Sequence, residues 1–465
     1  MSGPAEFSSQ PAESEVSVQT IEAFDFFHLA FDKDGTLQSA AEFAQLRQHI
    51  NSATATDAVF IAHGFRNDEQ DATTLFADFL KTFRANRARP EFQATLGGRR
   101  FVVAGVFWPS MALRETFRQG VVGGGVQRLG DDAVEREQIR QQLVDLHDHD
   151  ARLAQRPKID KAIALLPTLE NNPDAQDEFV ALVLSLLDGS ELDATEGLEQ
   201  VRAKSGSELL DALGAPIVLP AVRDDEGGVA ATGEAGPARD GGAQGLGGFF
   251  KSIAGRVGEF LNLTTWYVMK ARSGLVGATG VAKAVRDVKA SRPAIRIHLA
   301  GHSLGGRLMA ACAKSLCAAP KLQPDSLTLL EAAFSHYGFS ADNGQGTPGF
   351  FRDVVAKQIV KGPLVSTFSF QDTVVGHAYA ITSRLAGDNV KGIGDAHDLF
   401  GGIGRNGTQR TAEAVTDVLH TPGTPYTFPA NVVNNLDGSG GLIKDHGDVT
   451  NPAVTYAFAS AVART

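Results

Sequence analysis

The stretch IRIHLAGHSLGGR, residues 295–307, decides the fold that we expect for this chain. An apolar run at 295–300 enters GHSLG, which has Ser303 at its centre, and an alanine-rich helical pattern follows at 308–316. Strand, tight turn and helix in that order lift the serine at the apex out of the sheet, where a base can reach its hydroxyl oxygen. The flanking glycines let backbone and helix approach without Cβ clashes.

Upstream of this motif, short apolar runs alternate with helical patterns. Runs at 24–31, 58–62 and 101–108 predict strands, and apolar residues at helical spacing predict helices at 39–50 and 74–84. Strands and helices that alternate at this spacing are typical of a parallel sheet with helices on its faces. We therefore predict an α/β fold with a mostly parallel central sheet flanked by helices.

The α/β pattern is interrupted and later resumes. After the interruption we predict a helix at 266–288, strands at 327–333, 364–370 and 431–435, and a terminal helix at 452–462. The interruption contains no clear strand. It contains four helical patterns, at 133–146, 158–165, 176–187 and 197–213. A stretch at 224–248 that is rich in glycine, alanine and aspartate has too little apolar content to pack and predicts a mobile loop.

These patterns divide the chain into three parts. We predict a disordered tail, a sheet domain and a large helical insertion that forms a cap or lid. The boundaries are 1–17 for the tail, 18–110 and 264–465 for the sheet domain, and 111–263 for the insertion with its loop at 224–248. The length of 465 residues fits one large domain that carries an insertion.

Composition excludes some classes of function. The formal net charge of −11 repels phosphates and argues against nucleic-acid binding. The polar and acidic N-terminal residues lack the basic and apolar regions of a signal peptide, and no segment approaches 18 uninterrupted apolar residues. Two cysteines, Cys312 and Cys317, are unlikely to bridge at their helical spacing. A cytoplasmic location is the expectation.

A serine hydroxyl needs a base, and the base needs a group that fixes its tautomer. In a parallel sheet such groups stand at the carboxyl ends of strands. The favoured acid is Asp372, directly after the strand predicted at 364–370. Glu331 is the runner-up, near the end of the preceding strand, and Asp437 is a weaker third choice.

The favoured base is His446, in a glycine-rich loop between the last predicted strand and the last helix. His377 is a rival base because it also follows the acid. Two backbone N–H groups are candidates for an oxyanion hole: that of Leu304, at the start of the helix after the serine, and that of Phe65. The sequence His63-Gly64 would aim the second donor at the site.

The chain order Ser303, Asp372, His446 is that of the α/β-hydrolases. The sequence resembles that superfamily, and in particular its bacterial lipase- and esterase-like members. The similar regions cover a little over half of the chain and contain five matching segments. These are VFIAHGF at 59–65, VAGVFWPS at 103–110, LAGHSLGG at 299–306, STFSFQDTVV at 366–375 and DHGDV at 445–449. The large insertion and the long stretch between acid and base depart from the compact pattern.

The resemblance implies a serine hydrolase of carboxylic esters that works through an acyl-enzyme and needs neither cofactor nor metal. Its partner would be a small-molecule or lipid ester. Hydrolysis of thioesters, amides or peptides on the same fold stays open, as does an effector-type protein whose insertion binds a lipid or protein partner. The segment 246–267 predicts an amphipathic helix that either contacts a lipid interface transiently or packs on the core.

Overall fold

The computed structural model describes most of the chain. The described residues are 18–52, 55–110, 132–149, 155–187, 192, 194–214, 252–386, 396–429 and 431–465. The tail predicted at 1–17 and the loop predicted at 224–248 lie outside these residues.

Among the described residues, nine strands form one sheet in the order β1-β2-β4-β3-β5-β6-β7-β9-β8. The strands are β1 Gln19–Ile21, β2 Phe24–Ala30, β3 Asp57–Ala62, β4 Phe101–Phe107, β5 Arg296–His302, β6 Ser326–Leu330, β7 Leu364–Phe368, β8 Ala414–Val418 and β9 Val433–Asp437. Only β1 and β2 pair in antiparallel orientation, and every other pair is parallel. The predicted mostly parallel α/β sheet is confirmed.

Fifteen helices of the described residues surround and extend this sheet. They are α1 Ala40–Ser52, α2 Glu69–Arg87, α3 Pro90–Leu96, α4 Asp132–His149, α5 Arg156–Leu165, α6 Pro173–Leu184, α7 Leu198–Arg202, α8 Gly206–Gly214, α9 Ile253–Val276, α10 Ala282–Ser291, α11 Leu304–Leu316, α12 Arg352–Ala356, α13 Thr373–Ala386, α14 Ile403–Asn406 and α15 Pro452–Ala463. None of the described helices is long and apolar enough to cross a lipid bilayer.

Alternation along each strand sends side chains to two separate apolar cores. On β5, Ile297 and Leu299 belong to the core under α1, α9, α10 and α11, whereas Ala300 belongs to the core on the opposite face. That second core lies under α2 and α15. The ring of Phe458 packs edge-on against those of Phe79 and Phe83, at centroid distances of 5.2 and 5.0 Å.

A third apolar core lies among helices α4 to α9, in the part of the chain that was predicted as an insertion. It includes Phe179 on α6 and Phe260 on α9, whose ring centroids are 6.2 Å apart, and also Ile381 and Leu385 on α13. Helix α9 begins at Ile253 and continues to Val276, so a single helix crosses from the insertion into the sheet-covering layer. No strand occurs among the described residues between 111 and 263.

The segment 246–267 packs against protein where it is described. Val257, Phe260 and Leu261 on α9 are all buried, with at most 1% of their surface exposed. This burial favours the packing interpretation for these three side chains. Phe249 and Phe250, which carried part of the lipid-interface hypothesis, lie outside the described residues.

Several sequence-based boundaries were wrong. Strand β6 ends at Leu330 rather than at residue 333, because the backbone turns at Glu331, where φ is +44°. The helix predicted at 266–288 is interrupted by a π-helical turn, Gly277–Val281, between α9 and α10. The pattern at 197–213 forms two helices, α7 and α8.

Six elements were missed altogether, and three of them, α3, α12 and α14, are helices of seven residues or fewer. β1 has three residues, too few to show a pattern. β8 is an edge strand that is largely exposed, so it carries no apolar alternation. Helix α13, with the sequence TVVGHAYAITSRLA, is rich in β-branched residues and contains a glycine, so its intrinsic helix propensity is low. It is formed where its apolar residues pack on the neighbouring helices.

Candidate active site

Ser303 occupies the turn between β5 and α11 in a strained backbone conformation. Its φ is +57° and its ψ is −125°, a region that residues with a Cβ rarely adopt. The surroundings hold it there: the N–H of Ser303 donates to Leu330 O at 3.0 Å, and the N–H of Ala333 donates to Ser303 O at 3.0 Å. Strain of this kind persists only where neighbouring structure over-determines it, and it concentrates at functional sites.

Two positions around this turn require glycine, because neighbouring atoms approach them too closely for a Cβ. A Cβ on Gly305 would meet the main-chain oxygens of Ala62 and His63 at the end of β3, so only glycine lets α11 start this close to the sheet. A Cβ on Gly64 would lie 2.8 Å from the Cβ of Ser303. The turn after β3 is therefore packed directly against the candidate nucleophile.

Asp372 and His446 form a hydrogen-bonded pair at the carboxyl edge of the sheet. The Nδ1 of His446 lies 2.8 Å from Oδ2 of Asp372, and the other carboxylate oxygen accepts from the N–H of Val375 at 2.9 Å. The carboxyl group is fully buried, whereas the imidazole keeps 13% of its surface exposed. Because a carboxylate only accepts, Nδ1 carries the proton and Nε2 keeps a free lone pair, as a general base requires.

Glu331 lies beside this pair. It is fully buried, and one of its carboxyl oxygens lies within 4.8 Å of an Asp372 oxygen and of a ring nitrogen of His446. Neither carboxyl oxygen has a hydrogen-bond partner among the described residues. Burial, and secondarily the negative charge of Asp372, raises the pKa of this carboxyl well above its usual value. The runner-up acid of the sequence is therefore brought to the same place as the favoured one.

His302, the residue before the serine, fastens the loop that carries His446. Its Nε2 donates to the main-chain oxygen of His446 at 2.8 Å, and the two rings lie 4.7 Å apart. Its Nδ1 is buried without a partner among the described residues. Burial lowers the pKa of His302 to about 3, so the ring stays neutral.

The turn that would supply the second oxyanion donor is fixed by His63. Its Nε2 accepts from the N–H of Trp108 at 3.2 Å, so Nδ1 carries the proton and donates to Gly64 O at 3.0 Å. Burial lowers the pKa of His63 to about 4, consistent with the neutral tautomer. No hydrogen bond within the described ranges uses the backbone N–H of Phe65 or of Leu304, so both donors are available to a ligand.

The other sequence candidates lie elsewhere. His377 is on α13, and the cluster of acidic and imidazole groups at the sheet edge contains His446 instead. Asp437 ends β9, where its carboxylate accepts from the N–H of Ser439 at 2.9 Å, which is a turn-capping role. The sequence analysis did not predict that His302 and His63 hold neighbouring turns through hydrogen bonds. The available signal was their position within the GHSLG and HG motifs.

Glu331, Asp372 and His446 also carry atoms of the type that bind metal ions. A metal ion needs deprotonated ligands, whereas here the N–H at Nδ1 of His446 donates a hydrogen bond to Asp372, and the raised pKa of Glu331 favours the neutral acid. The arrangement is better suited to proton transfer than to metal binding.

Comparison with protein-family models, with curated proteins and with solved structures found no match for this chain. Interpretation therefore depends on the chemistry of the site. The described geometry offers a serine on a strained turn, an imidazole with a free Nε2, a carboxylate that holds it, and two available N–H donors. Such a set can form and break an acyl bond.

Proposed function

We propose that this protein is a serine hydrolase that cleaves carboxylic esters through an acyl-enzyme on Ser303. The observation that carries the proposal is the hydrogen bond between Asp372 and His446, formed at the same sheet edge as the strained Ser303 turn. Asp372 and Ser303 come from different strands, and His446 comes from a distant loop. Their convergence matches the roles that nucleophilic catalysis needs.

In the first half-reaction, Oγ of Ser303 attacks the ester carbonyl carbon while Nε2 of His446 takes the hydroxyl proton. The carbonyl oxygen becomes an oxyanion, which the N–H groups of Leu304 and Phe65 stabilise. Collapse of this intermediate breaks the bond to the alkoxy oxygen. His446 returns its proton to that oxygen, and the alcohol leaves.

In the second half-reaction, His446 takes a proton from water, and the resulting hydroxide attacks the acyl carbon. The tetrahedral intermediate collapses, Oγ of Ser303 recovers the proton, and the carboxylic acid is released. Throughout, Asp372 keeps the imidazole in the required tautomer and stabilises the imidazolium that forms transiently. No step needs a cofactor.

The test measures hydrolysis of p-nitrophenyl esters from acetyl to palmitoyl, with labelling by a serine-directed phosphonate in parallel. We expect labelling at Ser303, and a fall in kcat on the order of 10⁶-fold in Ser303→Ala. Ser291→Ala is the matched control, because its hydroxyl donates to Asp287 O at the end of α10, remote from the site. Full activity in folded Ser303→Ala would contradict the proposal.

An extended substrate panel distinguishes ester hydrolysis from hydrolysis of thioesters and amides. Matched thioester and amide substrates would report whether the acyl-enzyme forms from a different leaving group, since the same nucleophile serves all three. A folded protein that neither turns over any ester nor reacts with the phosphonate would favour the binding-protein alternative.

A further inference from the structure

Glu331 is a buried acid that the mechanism above does not use. Its backbone leaves β6 at a φ of +44°, and its N–H donates to Thr367 O at 3.2 Å. The main chain of Glu331 also packs on α14, because a Cβ on Gly404 would lie 2.6 Å from the Glu331 carbonyl carbon. The backbone is thus fixed on two sides, and it directs the carboxyl group to the Asp372–His446 pair.

The groups around this carboxyl are mostly negative. Asp372 faces it from the end of β7, and Asp445 and Asp448 act on it from the loop after β9. The nearby cation on α14, Arg405, donates to the main-chain oxygen of Asp372 at 3.3 Å and not to Glu331. Two carboxylates cannot both ionise cheaply at this distance without a cation between them.

We propose that Glu331 stands beside the Asp372–His446 pair as a neutral carboxylic acid, a positioning residue that leaves Asp372 as the one negative charge against the imidazole. The protonation state proposed for Glu331 does not depend on the proposed hydrolase function, whereas the effect of Glu331 on turnover rests on that function. A neutral acid keeps a polar group beside the buried Asp372 carboxylate and adds no second negative charge there.

An ionised Glu331 would have a different consequence. A second full negative charge within 4.8 Å of the imidazole would favour the imidazolium over the neutral base. The base would then be protonated over much more of the pH range. When Glu331 is protonated, its carboxyl group carries no charge that would favour the imidazolium over the neutral base.

The first experiment requires no enzymatic activity. It compares the free energy of unfolding of wild type and Glu331→Gln at several pH values between about 4.5 and 7.5. If the native carboxyl keeps a proton that the unfolded chain has lost, wild-type stability falls as pH rises through this window. The glutamine variant lacks this dependence. We expect the ratio of the two unfolding equilibrium constants to change about tenfold per pH unit in favour of the variant.

Glu413→Gln is the matched control. Glu413 pairs with Arg352 through hydrogen bonds of 2.6 and 2.8 Å, and this contact lowers the pKa of the Glu413 carboxyl. Its contribution to stability is lost only as pH falls, so the difference from wild type should be flat near neutral pH. An equally flat difference for Glu331→Gln would show that Glu331 is ionised in the native state and would overturn the proposal.

The second experiment tests positioning through the pH profile of kcat/KM. Glu331→Gln, which keeps a neutral polar side chain of nearly the same shape, should retain wild-type activity and the same acidic limb. Glu331→Leu should lose about tenfold in kcat/KM, because an apolar, branched side chain replaces the polar group beside the buried Asp372 carboxylate. An acidic limb that moves to lower pH in Glu331→Gln, or a Glu331→Leu enzyme as active as wild type, would overturn the positioning role.

Discussion

The Nε2 of His302 donates a hydrogen bond to the main-chain oxygen of His446 at 2.8 Å. The residue next to the candidate nucleophile thereby holds the main chain of the candidate base. The loop that carries His446 is rich in glycine, with Gly438, Gly440 and Gly441 before the histidine and Gly447 after it. Other hydrogen bonds hold the start of this loop, such as that from the Ser369 hydroxyl to Ile443 O at 2.9 Å, and the contact from His302 holds the main chain at His446 itself.

His302→Leu should therefore lower activity through the position of His446. Leucine removes the donor and leaves the His446 carbonyl without its partner. We expect kcat/KM to fall about tenfold, because small misplacements of a catalytic group are costly, and we expect phosphonate labelling of Ser303 to slow in parallel. His302→Gln keeps a donor and should be less affected. Equal activity in the leucine variant and wild type would contradict the role.

Gly64→Ala should disable the turn that packs on the serine. The added Cβ would lie 2.8 Å from the Cβ of Ser303 and 3.0 Å from Nδ1 of His302, so the turn must shift away. We expect a loss of stability of about 1–3 kcal/mol and a loss in kcat of about 10²-fold or more, as for removal of an oxyanion donor.

Gly98→Ala is the control for this substitution, because a Cβ there meets nothing within 4 Å. It should change the free energy of unfolding by no more than about 0.5 kcal/mol and leave kcat unchanged. Kinetics on one ester and chemical denaturation of both variants provide the measurement. If Gly64→Ala behaved as Gly98→Ala does, the close packing of the turn on Ser303 would be contradicted.

The nucleophile turn could be found in the sequence because it is local. Ser303 and both glycines that flank it lie within five residues. The strand before them and the helix after them are each predicted by their own residue patterns. Asp372 could be proposed because it directly follows a strand. In a parallel sheet, that position alone brings a side chain to the edge where the loops converge.

The rest of the site depends on contacts that no local pattern records. The bond from His302 to His446 joins residues 144 positions apart. The protonation of Glu331 depends on burial and on its distance from Asp372, and both are known only once the strands are side by side. Similarly, α13 forms against its neighbours in spite of a sequence with low helix propensity.

Acidification should destabilise the protein through its buried neutral histidines. Burial lowers the pKa of His302 and His336 to about 3 and that of His63 to about 4. An unfolded histidine has a pKa of about 6.5. Between these values the unfolded chain binds more protons than the folded one, so stability falls as pH falls, by about 1.4 kcal/mol per pH unit for each such histidine.

His336→Gln isolates one of these contributions away from the candidate nucleophile. Its Nε2 donates to Asp398 O at 3.1 Å, and its Nδ1 accepts from the side-chain amide of Asn406 at 3.1 Å. A glutamine amide can also donate and accept. We expect the variant to become more stable relative to wild type as pH falls from about 6.5 to 4.5. Denaturant unfolding measures this, and a difference that is independent of pH would contradict the neutral state.

A buried ion pair joins the predicted insertion to α9, and breaking this pair should be costly. Lys270 on α9 donates to Glu196 in the turn Ala194–Glu196, and also to the hydroxyl of Tyr379 at 2.6 Å. Glu196 in turn accepts from that hydroxyl at 2.7 Å and from the N–H of Ser335 at 3.2 Å. All of these side chains are buried, so their charges depend on each other.

Lys270→Met would leave the buried Glu196 carboxylate without its cation. We expect the free energy of unfolding to fall by about 3–5 kcal/mol, as for other buried pairs that lose one partner. The double variant Lys270→Met with Glu196→Gln should recover part of this loss. The glutamine oxygen can still accept from the N–H of Ser335, its NH2 group can donate to the Tyr379 hydroxyl, and the side chain carries no charge, so the recovery measures the cost of the uncompensated carboxylate. A single variant that stays within about 1 kcal/mol of wild type, or a double variant that is less stable than the single one, would show that the pair does not anchor the insertion.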